Sequence, residues 1–453
     1  MTKQQRLVIV VSVLASFVAF LDGSVVNVAL PAINHDLGGG LLTQEWVVDA
    51  YLITLGSLIL VAGSLSDLFG RKRIVSLGLV GFALASVLCA LAPNATFLII
   101  ARAIQGVAGA LLVPSSLALI MSSFSGGEQG KAIGTWTAWT GISFIIGPLL
   151  GGFLVDAASW RLIFAINIIP ITVTLLLLRA LHQPEHTRSD TKVDIIGSVL
   201  CAGGLAGTVF ALIEQPRYGW ADPLIYIPSL AGLILLGIFI WWERRLKNPM
   251  LPLSLFKIRN FSAGNLATAS IYSGLSIATF LIVIYLQQVS HYSAFFAGLS
   301  LLPVTIIMFT LSPRFGALAG KIGPRLFMSV GPMVAAIGFL LMLRLQTNVS
   351  YVTQLLPGVL VFALGLSMTV APLTTAVLKD VDTRHSGVAS AINNAVSRIS
   401  GLIAIAVIGV VTGAHIDVHG FHRAILVTAG LLLVGGIISA FGIQNSPKRI
   451  AQL

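Results

Sequence analysis

The stretch from Gly63 to Arg73 reads GSLSDLFGRKR. It joins two apolar segments, 46–66 and 74–92, and each is about as long as a helix must be to cross a membrane. A second stretch, Gly316 to Arg325 (GALAGKIGPR), has glycines at the same two positions and also follows an apolar segment. A motif that recurs between long apolar segments predicts a membrane protein made of two related halves.

The composition excludes a water-soluble enzyme. Only 9% of the 453 residues are charged and 56% are hydrophobic, whereas a soluble domain carries about 25% charged residues. Lys and Arg (27) exceed Asp and Glu (16), but they form no basic run long enough to indicate a nucleic-acid partner. Two isolated cysteines, Cys89 and Cys201, provide neither a disulfide framework nor a metal site.

Fourteen apolar segments of spanning length predict an all-α polytopic protein embedded in the lipid bilayer. Most of the 27 Lys and Arg residues fall on one side when the spans are counted from the N-terminus, which places both termini in the cytoplasm and the chain in the cytoplasmic (inner) membrane. The segments are 7–31, 46–66, 74–92, 96–122, 132–155, 162–180, 194–213, 223–242, 262–286, 296–318, 326–345, 351–378, 387–412 and 422–442.

The repeat divides the chain into three parts. Spans 1–6 resemble spans 9–14, because the glycine motif and a proline (Pro114 and Pro372) recur in matching places. We therefore predict an N-terminal six-helix bundle (1–185), a two-helix insert with flanking linkers (186–258) and a C-terminal six-helix bundle (259–453), an arrangement of 6+2+6 helices.

These motifs resemble those of a known family. The stretch GSLSDLFGRKR is similar to the signature loop of the major facilitator superfamily, and Leu21 to Pro31 (LDGSVVNVALP) resembles the first-span motif of its 14-span drug:proton antiporters. Arg102 to Gly106 (RAIQG) resembles the basic motif of span 4. The resemblance covers the whole chain and is closest to multidrug and quaternary-ammonium exporters. It implies the major facilitator fold, a monomer, and no cofactor beyond the proton as coupling ion.

Span 5 carries a further part of the resemblance. Gly147, Pro148, Gly151 and Gly152 match the antiporter motif, although Ser143 stands where the family usually has glycine. From the residues alone, small side chains on one helix face predict close packing against a neighbouring helix. Only the resemblance makes this face an indication of antiport.

Asp22 is the residue that we expect to couple protons to transport. A carboxyl within an apolar span is costly and usually faces an aqueous cavity or a partner. Arg102 shares a helix face with Gln105, Gly106 and Gly109, and its guanidinium can pair with Asp22 when that carboxyl is ionised. The alternative is a permanent structural ion pair.

Asp49 is the second candidate acid. Its spacing from Asp22 resembles the pair of acids in quaternary-ammonium exporters, which implies that it relays protons or binds a cationic head group. The alternative is an interfacial acid near a helix start, where a carboxylate is favoured by the helix dipole.

The 63–73 stretch supplies a candidate conformational latch. Gly63 and Gly70 permit a tight cytoplasmic turn, and Asp67 and Arg71 are spaced to pair. The resemblance implies that Asp67 also faces the start of span 13 and releases during switching. The alternative is a turn in a basic loop.

Polar and aromatic stripes are candidates for the lining of a substrate cavity, because aromatic faces bind organic cations. The alternative is hydrogen bonding between helices. Spans 9–14 contain no Asp or Glu, which favours monovalent lipophilic substrates. The candidates are Gln105 in span 4, Trp136 and Trp139 in span 5, Asn265, Thr268, Tyr272 and Ser276 in span 9, and Asn393, Asn394, Ser397 and Arg398 in span 13.

These features predict a proton-coupled antiporter that exports lipophilic, cationic drugs or toxic compounds by alternating access. A dedicated exporter of a metabolite or antibiotic and a proton-coupled importer of the same fold remain as alternatives. The sequence has no HExxH motif or nucleophile elbow, so we expect a transporter rather than an enzyme.

Overall fold

A computed structural model of the protein describes residues 2–124, 128, 132–133, 135–136, 139–140, 142–181, 194–246, 249–378, 380–381, 386–413 and 416–445, and it leaves the side chains at positions 60, 64, 67, 144, 145, 386 and 387 undescribed. Within this part the chain is helical and forms no strand.

The long helices coincide with the predicted apolar segments, and more than half of the helix ends extend beyond the ends of those segments. Short 3-10 turns (Leu253–Lys257 and Met342–Arg344) and a π-helical turn (Tyr351–Leu355) complete the ordered elements. The helices are α1 (Lys3–Leu37), α2 (Gly40–Phe69), α3 (Arg71–Ala90), α4 (Ala95–Ser123), α5 (Ser143–Ala157), α6 (Leu162–Ala165), α7 (Ile168–Arg179), α8 (Ile195–Tyr218), α9 (Pro223–Arg245), α10 (Arg259–Gln288), α11 (Ala294–Ser300), α12 (Leu302–Ile322), α13 (Arg325–Leu341), α14 (Leu356–Leu378), α15 (Ser386–Ala406), α16 (Ile408–Thr412) and α17 (Val418–Gly442).

Twelve helical segments among the described residues are long and apolar enough to cross a membrane. They correspond to twelve of the fourteen predicted segments. Of the other two, 46–66 lies within α2, and 132–155 includes residues outside the described part of the chain. The structure therefore describes a multi-pass helical membrane protein, and the count of fourteen stays a prediction.

The repeated glycine motif contains less loop than the sequence predicts. Helix α2 continues to Phe69, so Gly63 is helical, and only Gly70 separates α2 from α3. Gly70 has φ 93°, and Gly323, which together with Pro324 separates α12 from α13, has φ 96°. A left-handed backbone is costly for any residue with a Cβ. Each copy of the motif is thus a helix followed by a turn of one or two residues, and the prediction of a loop over 63–73 was wrong.

The chain forms two compact units. The first comprises Met1–Leu251, Thr279–Leu299 and Ile405–Asp417, and the second comprises Pro252–Ala278, Ser300–Ala404 and Val418–Leu453. The helices of the predicted insert, α8 and α9, lie in the first unit, where they pack on each other and α8 packs against α2. The predicted 6+2+6 division stays a prediction.

We predict that Gly70→Ala lowers the free energy of unfolding by about 1–3 kcal/mol, because alanine must adopt the left-handed backbone of Gly70. Gly63→Ala is the matched control. A Cβ built at Gly63 meets no heavy atom within 4 Å, and Ala is favoured over Gly in a helix interior. Thermal unfolding of the purified protein can be followed with a thiol-reactive dye, since Cys89 and Cys201 are free and buried. Equal midpoints for the two variants would contradict the interpretation.

Candidate functional site

Asp22 lies near the middle of α1 and is 0% exposed. Three side chains donate hydrogen bonds to its carboxylate. Arg102 donates from Nη1 to Oδ2 at 2.5 Å, Gln105 donates from Nε2 to Oδ1 at 2.9 Å, and Asn167 donates from Nδ2 to Oδ1 at 3.0 Å. The carboxylate is therefore paired and hydrogen-bonded, which is the condition under which a buried charge is tolerated.

Arg102 is 1% exposed and has partners besides Asp22. Its Nε donates to the Val47 carbonyl at 2.9 Å, and its Nη1 donates to Gln105 Oε1 at 2.7 Å. The guanidinium carbon lies 4.3 Å from the centre of the Tyr51 ring, a cation–π distance. Arg102 therefore links α1, α2 and α4 through one buried charge.

Two members of this network were missed by the sequence reasoning. Asn167 lies between α6 and α7, and its Nδ2 is 3.4 Å from Ser86 Oγ on α3. Gln105 Nε2 also donates to Ser86 Oγ, at 3.0 Å. In the sequence, the position of Asn167 as a single amide within an apolar span was the sign that it has a polar partner. Gln105, predicted to line a cavity, is fully buried in the network.

The two glycines predicted beside Arg102 do permit close approach of helices. A Cβ built at Gly106 would overlap Thr54 Oγ1 and the Tyr51 carbonyl oxygen, and one built at Gly109 would lie 3.1 Å from Tyr51 Oη. The absence of side chains there brings the backbone of α4 against α2. This contact holds Val47 and Tyr51 where Arg102 can reach them.

Asp49 does not belong to the Asp22 network. It is the tenth residue of α2 (Gly40–Phe69), so the alternative of an interfacial acid near a helix start does not fit its position. Asp49 is 0% exposed, and neither carboxyl oxygen has a hydrogen-bond partner among the described residues. An ionised carboxylate without donors in a buried site is strongly disfavoured.

Glu45, one helical turn before Asp49, was not predicted as a site residue. It is 1% exposed, and its Oε1 accepts a hydrogen bond of 2.9 Å from the backbone N–H of Gly409. That N–H is free to donate because Val407 interrupts the helix between α15 and α16. Glu45 and Asp49 are thus two buried acids on consecutive turns of α2, separate from the Asp22–Arg102 pair.

The glycines of the predicted antiporter motif lie on two sides of α5, and each side packs against another helix. A Cβ built at Gly147 would overlap Ser24 Oγ on α1, and one built at Gly151 would lie 2.5 Å from Val25 Cγ2. On the other side, a Cβ at Gly152 would lie 2.5 Å from Phe295 Cα. The prediction of close packing is therefore consistent with the geometry at each of these glycines.

Two further contacts extend the same helix face. A Cβ at Gly298 would lie 2.5 Å from the Pro148 carbonyl oxygen. The carboxylate of Asp156 accepts hydrogen bonds from the backbone N–H groups of Ala294 (3.1 Å) and Phe295 (2.9 Å), at the start of α11. Pro148, Gly152 and Asp156 are four residues apart, so one stripe of α5 contacts α11.

The predicted latch is described only in part. Gly70 forms the turn and Arg71 begins α3, whereas the side chain of Asp67 lies outside the described part of the structure. The Asp67–Arg71 pair and the latch stay predictions.

The predicted cavity stripe in the second unit includes a hydrogen-bonded group. Asn393 Nδ2 donates to Asn265 Oδ1 at 3.1 Å and to Thr268 Oγ1 at 2.8 Å, which joins α15 to α10. These three residues form hydrogen bonds between helices, and their role in lining a cavity stays a prediction.

The remaining members of the stripe are less buried. Asn394 is exposed and donates to the Ser390 carbonyl at 3.2 Å within its own helix. Four others are half-buried and stay candidates for the cavity lining: Tyr272, Ser276, Ser397 and Arg398.

Trp136 and Trp139, both predicted to line the cavity, differ in hydrogen bonding and exposure. Trp136 donates from Nε1 to Ser16 Oγ at 3.1 Å, and Ser16 Oγ lies 2.5 Å from Ser116 Oγ. Trp139 is 56% exposed. Trp136 therefore takes part in hydrogen bonding between helices, and the cavity-lining role of both residues stays a prediction.

A model of the Major Facilitator Superfamily matches residues 12–405. The chain belongs to this superfamily. It is therefore a membrane transporter, which confirms the expectation that it is not an enzyme.

Several relatives of this transporter are named for drug or antibiotic resistance. A puromycin resistance protein of Streptomyces alboniger is 32% identical over 452 residues, which cover 95% of this chain and 90% of that protein. A methylenomycin A resistance protein of Bacillus subtilis is 35% identical over 410 residues, 89% of this chain and 87% of that one. The multidrug resistance protein Stp of Mycobacterium tuberculosis is 32% identical over 419 residues, 92% and 78% of the two chains.

Solved structures support the fold of the transporter. The crystal structure of a D-xylose–proton symporter matches with a TM-score of 0.70 over 97% of this chain and 98% of that one, at 16% sequence identity. A peptide transporter matches with the same TM-score at 15% identity, over 97% and 94% of the two chains. At this identity the likeness is one of fold alone.

We predict that Arg102→Met lowers the free energy of unfolding of the transporter by about 3–5 kcal/mol, because it leaves the Asp22 carboxylate buried without its cation. The double variant Asp22→Asn/Arg102→Met removes both charges and should be closer to the wild type than Arg102→Met is. Thermal unfolding of the purified variants measures both effects. A double variant less stable than Arg102→Met would contradict a charge-compensating role for Arg102.

We also predict that Gly152→Ala destabilises the transporter by about 1–3 kcal/mol, since the new methyl group overlaps the backbone at Phe295. Gly237→Ala in α9 is the matched control, because a Cβ there meets nothing within 4 Å. The same thermal assay compares the two. If both variants unfold at the wild-type temperature, α5 and α11 do not pack as described.

Proposed function

We propose that the protein is a proton-coupled antiporter that exports lipophilic cations across the cytoplasmic membrane by alternating access. The observation that carries the proposal is the Asp22 carboxylate, 0% exposed and bonded to Arg102, Gln105 and Asn167. The names of the relatives, which specify drug and antibiotic resistance, support a drug or antibiotic as the transported compound.

The Asp22–Arg102 contact is suited to sense a proton. A proton on Oδ2 places an O–H opposite the Nη1 donor of Arg102, so the 2.5 Å hydrogen bond breaks. The guanidinium retains the Val47 carbonyl, Gln105 Oε1 and the Tyr51 ring as partners. Protonation thus removes one link between α1 and α4, while Arg102 keeps acceptors for its N–H groups but loses its counter-ion.

The transport cycle follows from this change. Protonation of Asp22 from outside releases the exported cation, and loss of that proton to the cytoplasm restores the ion pair. An inward proton contributes about 2.3 kcal/mol per 100 mV of membrane potential, and each unit of pH gradient adds about 1.4 kcal/mol. Asp49, buried without hydrogen-bond partners in the described structure, is the second acid that we assign to proton transfer.

We further propose fourteen spans arranged 6+2+6, with both termini in the cytoplasm. The helix that contains segment 46–66, α2, supports one of the two spans that the hydropathy count of twelve does not include. Exposure of a C-terminal tag to protease in inverted but not in right-side-out vesicles would support the orientation.

Transport of tetraphenylphosphonium into proteoliposomes and inverted vesicles tests the coupling. We predict that an acidic lumen drives accumulation of this cation by the wild type in inverted vesicles, and that Asp22→Asn loses the pH-driven part while retaining exchange of labelled for unlabelled cation. Asp36→Asn is the matched control on the same helix, because Asp36 is 47% exposed and paired with Arg161 at 2.6 Å.

Three results are decisive. Asp22→Asn with wild-type pH-driven accumulation contradicts the assignment of Asp22. Accumulation only in right-side-out vesicles identifies an importer. Absence of any transport of lipophilic cations by the wild type favours a dedicated exporter of another compound.

A further inference from the structure

Two further acidic residues lie close together on α8 and α9, apart from the acids assigned to transport. Asp194 precedes α8, and Glu243 lies near the end of α9. Glu243 is 2% exposed. The two helices approach closely along their length, since a Cβ at Gly207 would lie 2.7 Å from the Pro228 carbonyl oxygen. The start of one helix is thereby held beside the end of the other.

One oxygen of each carboxyl group accepts hydrogen bonds from N–H donors. Asp194 Oδ1 accepts hydrogen bonds from the Gly197 N–H at 2.9 Å, which caps α8, and from Trp242 Nε1 at 3.0 Å. Glu243 Oε2 accepts a hydrogen bond of 2.9 Å from the Leu251 N–H. Both carboxyl groups are therefore fixed in orientation.

The second oxygen of each carboxyl group lies near the same point. Asp194 Oδ2 and Glu243 Oε1 are buried, and no N–H or O–H donor of the described residues reaches either one. A Cβ built at Gly197 would overlap Asp194 Oδ2 and lie 3.0 Å from Glu243 Oε1. Two carboxylates offer only acceptors, so a proton on one of them is what allows one carboxyl group to donate a hydrogen bond to the other.

No cation of the described structure neutralises this pair. The adjacent basic residues of α9 are exposed, and Arg245 stacks on Trp241 at 4.3 Å. Arg244 is its exposed neighbour. The titratable group that α8 contributes beside Glu243 is the buried thiol of Cys201. Lys247 lies outside the described part of the chain.

We propose that Asp194 and Glu243 form a proton-binding site in which one shared proton closes a clasp on the insert. The clasp ties the start of α8 and the end of α9 to Leu251, the last residue of the first unit before the chain enters the second at Pro252. Loss of the proton leaves two carboxylates in contact, and their repulsion opens the clasp. The site is distinct from the proposed coupling acids.

Infrared difference spectra of the purified protein in lipid nanodiscs, titrated from acidic to alkaline pH, detect the shared proton as the C=O band of a protonated carboxyl group. We expect Glu243→Gln and Asp194→Asn each to lose the same band. Asn remains a good helix cap, and Gln keeps the shape of Glu, so both variants should fold. Asp222→Asn is the matched control. Asp222 caps α9 through the Leu224 N–H at 2.8 Å and takes no part in the pair.

Thermal unfolding of the same variants provides a second readout. We expect the midpoint of the wild type to fall as the band is lost at alkaline pH, and the midpoint of Glu243→Gln to lose this dependence. A band that persists in both variants, or a band lost equally in Asp222→Asn, overturns the proposal. Loss of the wild-type band on addition of sodium at constant pH also overturns it, because the pair would then hold a metal cation in place of the proton.

Discussion

The buried ion pair between Asp22 and Arg102 is the interaction on which the first unit depends. Removing two charges from water costs several kcal/mol per ion, and attraction between them offsets this only if their remaining polar atoms are satisfied. Gln105 and Asn167 satisfy the carboxylate, and the Val47 carbonyl satisfies the guanidinium. The requirement fixes α1, α2, α3 and α4 and the α6–α7 connection around one point. In the proposed transport cycle, a proton alters this same interaction.

Close contact between helix backbones is the second constraint on how the helices of the first unit pack. Gly106, Gly147, Gly151 and Gly152 each lie where a side chain would overlap or crowd a neighbouring helix. In a lipid environment helices associate through packing and hydrogen bonds rather than through the hydrophobic effect, so small residues at contacts have a large influence. These contacts place Arg102 within reach of α2 and hold α5 between α1 and α11. The clasp proposed for α8 and α9 uses a different interaction, a proton shared between two acids.

Much of this arrangement could be predicted from the sequence, for physical reasons. Apolar segments of spanning length indicate helices, and the segment 223–242 became α9 (Pro223–Arg245). The scarcity of charge made Asp22 and Arg102 conspicuous, and the structure brings them together. Asn167 was missed because one amide in an apolar run does not identify its partner. The contact of Glu45 with Gly409 was missed because it depends on a helix break far along the chain. The 63–69 segment was mistaken for loop, since a glycine within a helix resembles a glycine at a turn until its φ is known.

Proton release on substrate binding tests the central claim most directly. Tetraphenylphosphonium is added to the purified protein in weakly buffered solution, and the protons released are counted with a pH indicator. We expect the wild type and Asp36→Asn to release protons, and Asp22→Asn to bind the cation but release fewer. Equal release by Asp22→Asn and the wild type would contradict the claim that the Asp22–Arg102 pair couples proton movement to transport.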